Sequence, residues 1–152
     1  MDVRTLPPRW VVRTAWAAHR ALLRLTRDRV GLAEPTPGGR FGMLRLRTTG
    51  RRSGAERSVV LGYAQDGGRL VVLAMNGWAP ADPAWWLNLQ SRPEASVDLV
   101  DGPRRVVARE ARGEERDRLW AVVAQHSGYG DLEALATLRG RPTPVIVLEP
   151  RP

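Results

Sequence analysis

The chain has 152 residues, no cysteine and, among its 24 basic residues, no lysine. The first absence excludes disulfides, thiolate nucleophiles and thiolate metal sites. Histidine is nearly missing too, and His19 and His126 stand too far apart for a local metal-binding motif. No apolar run approaches the roughly 18 residues of a membrane-spanning helix. The first residues lack the apolar centre and small-residue cleavage site of a signal peptide, so a cytoplasmic protein is expected.

What is present is arginine. The formal charge of +8 favours an anionic partner: nucleic acid, a membrane surface, or a phosphorylated or carboxylated small molecule. An apolar content of 43% is enough for a core, and the length fits one folded domain.

The sequence divides by hydrophobic period. Over 9–32, Val11, Ala15, Ala18, Leu22 and Leu25 fall on one helical stripe, widened by Val12, Trp16 and Leu23. Arg13, Arg20, Arg24 and Arg27 fall opposite. Such a helix packs on the domain or lies on an anionic bilayer as a peripheral contact. Residues 1–40 are therefore read as a basic amphipathic helix with its linker, and 41–152 as the main domain.

From residue 41 the period is two. Strands are expected over 41–49, 57–65, 69–76, 95–110 (two strands meeting at Asp101-Gly102) and 143–150. Helices are expected after Pro83, with Asp82 as the cap, and over 113–127, with a short helical piece before the last strand. Hairpin links make the sheet mostly antiparallel, and six short strands suit a small α+β barrel with flanking helices.

Three stretches carry candidate chemistry. "TTGRRSGAERS", 48–58, puts Arg51, Arg52 and Arg57 around a hairpin turn. Forked guanidinium groups suit phosphate and carboxylate, and Gly50 and Gly54 let backbone N–H groups approach the same anion. The spacing is not that of a P-loop, and no Lys-Ser or Lys-Thr pair follows. A solvated hairpin tip is the plainer reading of the same residues. In "ADPAWWLNL", 81–89, Trp86 and Leu89 read as core, whereas Trp85 could wall a flat ring with Asn88 one turn along. In "QHSGYGD", 125–131, His126 and Tyr129 are either surface residues or proton donors lining a pocket.

Taken together, Thr-Gly-Arg-Arg-Ser-Gly, the later Arg57, Asp66-Gly67-Gly68, Asn76-Gly77, Pro83-x-Trp85-x-x-Asn88-Leu89 and Glu149-Pro150 resemble the deazaflavin-dependent nitroreductase family of actinobacteria. The resemblance spans about residues 41–150. It implies a six-stranded split β-barrel of the FMN-binding, pyridoxamine-oxidase-like kind. It implies as cofactor coenzyme F-420, an 8-hydroxy-5-deazaflavin with a phosphate and an oligoglutamate tail. The implied activity is hydride transfer to a quinone, nitroaromatic or enone.

Carried over by position, the resemblance puts the phosphate and tail on Gly50, Arg51, Arg52, Ser53 and Arg57. It puts the ring beside Met75, Asn76, Pro83, Ala84, Trp85 and Asn88. Tyr129, with His126 nearby, falls in the segment that shapes the substrate pocket. No metal and no nucleic acid are implied, and a monomer or homodimer would serve. Arg52 stands where lysine is usual, Trp86 where tyrosine is common, and Trp78 where a small residue is common. A barrel that binds FMN or haem, a cofactor carrier, and a non-enzymatic barrel that binds nucleic acid are the alternatives.

Overall fold

A computed structural model describes residues 14, 31–126 and 131–152. The chain divides into two units, 1–31 and 32–152. The helix expected over 9–32 lies almost wholly outside the described residues, as does Tyr129.

The second unit contains six strands: β1 Gly42–Thr49, β2 Glu56–Asp66, β3 Arg69–Leu73, β4 Glu94–Leu99, β5 Gly102–Glu110 and β6 Val145–Pro150. They close into a barrel in the order β1-β2-β3-β6-β5-β4, with every neighbouring pair antiparallel. Closure leaves no open sheet edge. Among the described residues three α-helices accompany it: α1 Ala84–Ser91, α2 Gly113–Ala124 and α3 Leu132–Arg139.

The alternation that predicted the strands also sorts the core. Leu44 and Leu46 of β1, Leu70 and Val72 of β3, and Ile146 and Leu148 of β6 fill the barrel. Trp85, Trp86 and Leu89 of α1 join the same cluster. The intervening residues Val71, Leu73, Val145 and Val147 point outward into a second cluster, with Leu119 and Val123 of α2 and Leu132 of α3. Strands β3 and β6 are thus covered on both faces, and their sequences are nearly continuous apolar runs. Each fully buried Leu, Ile or Val side chain contributes about 1.5–3 kcal/mol.

Ion pairs tie α2 to the strands. Arg118 Nη1 and Nη2 donate to Asp66 Oδ1 and Oδ2 at 2.8 and 3.1 Å. Arg109 bridges Glu115 (2.5 and 2.9 Å) and Glu149 (2.9 Å). The bonds from Arg118 hold the Asp66 carboxyl below the usual carboxylate range, and those from Arg109 do the same for Glu115. Solvent-exposed pairs are worth only about 0–1 kcal/mol each. The apolar face therefore sets where α2 sits, and the ion pairs fix its rotation.

Two local expectations need correction. Asp82 does not cap α1: Pro83 is itself the N-cap residue, without a side-chain cap bond. The Asp82 carboxylate is drawn instead to Arg139 and Arg141. Strand β3 stops at Leu73 rather than 76, because Asn76, Gly77 and Trp78 take φ of 46, 62 and 66°.

Packing at Gly42 is the tightest glycine contact in the described unit. A Cβ there would sit 2.4 Å from a Tyr63 ring carbon and 2.8 Å from Pro35 Cδ, whereas one at Gly68 would meet nothing within 4 Å. Gly42→Ala is expected to lower unfolding stability by about 1–3 kcal/mol, the usual cost of overpacking a core. Gly68→Ala should cost no more than about 0.5 kcal/mol. Urea denaturation of the two variants checks the contrast.

Candidate functional site

Closing the barrel brings the β1–β2 turn next to the start of α1. The turn, residues 50–55, is built by its own backbone. Gly50 N–H donates to Ala55 O at 2.7 Å, Gly54 N–H to Gly50 O at 2.8 Å, and Ala55 N–H to Ser53 Oγ at 3.1 Å. A Cβ on Gly50 would lie 2.9 Å from Ser53 Oγ and 3.1 Å from Ala55 O, so only glycine leaves the turn its shape.

Between this turn, β2, the end of β3 and α1 lies a cavity of about 650 Å³. Small-molecule sites run from roughly 300 to 1,000 Å³. One rim carries Gly50, Arg51, Arg52, Ser53 and Arg57. The opposite side carries Met75, Asn76, Pro83, Ala84, Trp85 and Asn88. The structure thus gathers all eleven residues that the resemblance assigned to a cofactor around one space.

The sequence did not assign Thr48, Ser58, Val59, Leu61, Leu73 and Gly77 to the site, and they also line it. The period of β2 held a usable signal for two of them. Val59 and Leu61 share a face with Tyr63, and that face looks into the barrel cluster.

Asn88 joins the two sides. It is buried at 4% exposure. Its Oδ1 accepts from the Arg51 backbone N–H at 3.2 Å and from Arg51 Nη1 at 3.1 Å. Its Nδ2 donates to Thr48 Oγ1 at 3.3 Å. The amide that was expected to touch a ring therefore spends its oxygen on Arg51, which is fastened to the wall.

Arg52 and Arg57 differ from the other turn arginine. All three are exposed, but among the described residues neither Arg52 nor Arg57 pairs with an acid or donates to another side chain. Several other guanidinium groups have carboxylate partners, such as Arg47 with Asp98 (2.6 Å) and Glu56 (3.1 Å) and Arg104 with Asp101 (2.5 Å). The cavity mouth thus offers two unneutralised forks beside the Gly50 turn, an anion site in both charge and shape.

The far wall is apolar, with one polar feature. In α1 the Trp86 and Leu87 N–H groups donate to Pro83 O, at 3.1 and 3.3 Å. The Ala84 and Trp85 N–H groups precede them, as the unpaired first-turn donors of a helix do. Both residues line the cavity. Next to them runs the left-handed segment 76–78. Its two non-glycine residues, Asn76 and Trp78, each store strain on the order of 1–3 kcal/mol, less for asparagine.

His126 does not line this cavity. It follows α2, with Nδ1 3.0 Å from the Val122 carbonyl oxygen. A carbonyl only accepts, so Nδ1 carries the proton and Nε2 is the nitrogen left for other work.

If Asn88 fixes the turn, Asn88→Ala should cost about 1–3 kcal/mol by leaving buried polar groups unmade. It should also raise hydrogen exchange at the Arg51 amide by at least tenfold, while amides of β3 and β6 keep their protection. Exchange measured by NMR checks it.

The pattern that defines the F420H(2)-dependent quinone reductase family matches residues 19–150. An F420H(2)-dependent quinone reductase of Mycobacterium tuberculosis is 32% identical over 139 residues, 88% of each chain. The solved structure of an F420-H2 dependent reductase superposes with a TM-score of 0.64 at 29% identity, covering 77% of this chain and 97% of that one. A Listeria innocua structure described as a candidate pyridoxamine 5′-phosphate oxidase has a TM-score of 0.51 at 14% identity, covering 72% and 84%, and shares the fold alone. The barrel is accordingly a split barrel, and the chain belongs to the F420H(2)-dependent quinone reductase family.

Proposed function

We propose that the cavity between the arginine turn and α1 holds coenzyme F-420, and that the protein uses it to reduce a quinone. Family membership sets the cofactor. The observation that carries the placement is local: two exposed guanidinium groups without acid partners among the described residues, Arg52 and Arg57, stand at the mouth of an apolar cavity walled by Trp85.

Each part of the cavity suits one part of the cofactor. Arg52 and Arg57 would take the phosphate and the carboxylate tail, with Ser53 and the close backbone at Gly50 completing the cradle. Arg51, fastened by Asn88, adds fixed positive charge without leaving the wall. Trp85, Val59, Leu61 and Met75 offer apolar surface to a flat ring and keep water from it. The free N–H groups of Ala84 and Trp85 are donors for an electron-rich ring oxygen. When bound, the reduced deazaflavin supplies the hydride, and the protein supplies orientation, charge and a dry site. Tyr129 and His126 remain proposed proton donors to the reduced acceptor.

Among the described residues no helix is long and apolar enough to cross a membrane. The one-sided arginines of 9–32 support peripheral contact with an anionic bilayer, where a lipid-soluble quinone would be met.

Replacing both Arg52 and Arg57 by alanine is expected to weaken F-420 binding at least tenfold, about 1.4 kcal/mol. The loss should shrink as salt rises, because exposed charge pairs are screened. Fluorescence titration of the deazaflavin, with FMN as the comparison ligand, measures this. An unchanged Kd would remove the anion clamp, and tight FMN binding without F-420 binding would remove the cofactor assignment.

A further inference from the structure

The sequence did not single out Arg139, yet it is the largest fully buried side chain of the described unit, at 1% exposure. It is the last residue of α3, and its guanidinium is used on three sides. Nε donates to Ala79 O at 3.0 Å and Nη1 to Pro142 O at 3.1 Å, while Nη2 pairs with the Asp82 carboxylate. Two of these three partners lie in one loop, the segment between β3 and α1.

That segment is where the backbone is strained. Asn76, Gly77 and Trp78 run consecutively through the left-handed region, closed by Trp78 N–H to Met75 O at 2.7 Å and Ala79 N–H to Asn76 O at 3.2 Å. Tryptophan has no intrinsic preference for such a φ, so something outside the turn must hold it. Asn76 Nδ2 donating to Ala81 O (3.1 Å) is exposed and weak. Arg139 is buried and charged, and it grips the loop directly after the turn, at Ala79 and Asp82. What the turn delivers is the wall of the cavity: Met75 before it, Asn76 and Gly77 within it, Pro83 and Ala84 after it.

From this we infer that Arg139 is a positioning residue for the cofactor site. It does not line the cavity. By fastening Ala79 and Asp82 it keeps residues 76–78 left-handed and so sets the shape of the ring-facing wall. The inference rests on the reading that the cavity holds the deazaflavin. A lysine has one ammonium on a flexible stem and cannot copy three bonds laid out by a planar fork. Arg139→Lys should therefore keep the charge and the fold and release the loop. Asp82→Asn is the second variant, near in shape and without the counter-charge.

Two measurements on the full-length protein decide. The first is hydrogen exchange at the Trp78 and Ala79 amides without ligand, with barrel amides such as Leu44 and Leu46 as the internal check of folding. The second is the F-420 dissociation constant across a salt series. In Arg139→Lys, exchange at Trp78 and Ala79 should rise at least tenfold while the barrel amides hold. F-420 binding should weaken about tenfold with an unchanged salt dependence, because Arg52 and Arg57 are untouched. Asp82→Asn should move both readouts in the same direction.

Unchanged exchange at Trp78 and Ala79 in both variants overturns the inference. So does faster exchange with an unchanged Kd, which would make Arg139 a purely structural residue. A loss of affinity accompanied by a flatter salt dependence also overturns it, since the clamp would then be what was disturbed. If the unaltered protein fails to bind F-420, the functional reading and the positioning role fall together; if it binds and the variants bind equally well, only the positioning role falls.

Discussion

The carboxamide of Asn88 holds together two pieces of chain that are 37 residues apart. Its oxygen takes both the backbone N–H and the guanidinium of Arg51, and its nitrogen gives a bond to Thr48. Thr48 is the last residue but one of β1, Arg51 belongs to the turn that follows, and Asn88 sits on the buried side of α1. The anion side of the cavity and the ring side are contributed by different elements. Their separation is set by how these elements meet, and a buried amide with both ends used is a stiff spacer because leaving either end unpaired is costly.

Charge pairing around the barrel sharpens the picture. The chain has 24 basic and 16 acidic residues, so carboxylates are fewer than guanidinium groups. On the strands and helices, Arg47, Arg69, Arg104, Arg109, Arg118 and Arg139 all have carboxylates in reach. Among the described residues Arg52 and Arg57 stand without them, at the mouth of a cavity between a glycine-rich turn and Trp85. An acid placed among them would stabilise the turn and compete with an anionic ligand. The nearby Glu56 is turned to Arg47 instead, at 3.1 Å.

Much of this was legible in the chain. The period-two runs gave all six strands, because residues such as Leu70 and Val72 or Ile146 and Leu148 must share a face whatever the partner strand is. The turn arginines and Pro83-x-Trp85-x-x-Asn88 were legible as a set, since local chemistry fixed each side of the cavity. What escaped reading depends on contacts across long sequence separations. Asp82 before Pro83 looks like a helix cap until Arg139, 57 positions away, is brought beside it. Trp78 after Asn76-Gly77 gives no local sign of a left-handed backbone, because the force that holds it there comes from α3. Leu73, whose side chain packs in the outer cluster, meets the cavity only at the end of β3. Asn88 was read as touching a ligand, and its actual partners on the turn could not be inferred from spacing on α1.

The central claim is that binding is divided, with anion recognition on the hairpin and ring recognition against α1. The most direct measurement compares the dissociation constant of intact F-420 with that of the same deazaflavin lacking its phosphate and acidic tail, each across ionic strength. The account predicts that the intact coenzyme binds at least tenfold more tightly at low salt and that the gap narrows as salt rises, with the stripped ring retaining weak, salt-insensitive affinity. Equal affinities at every ionic strength would contradict it.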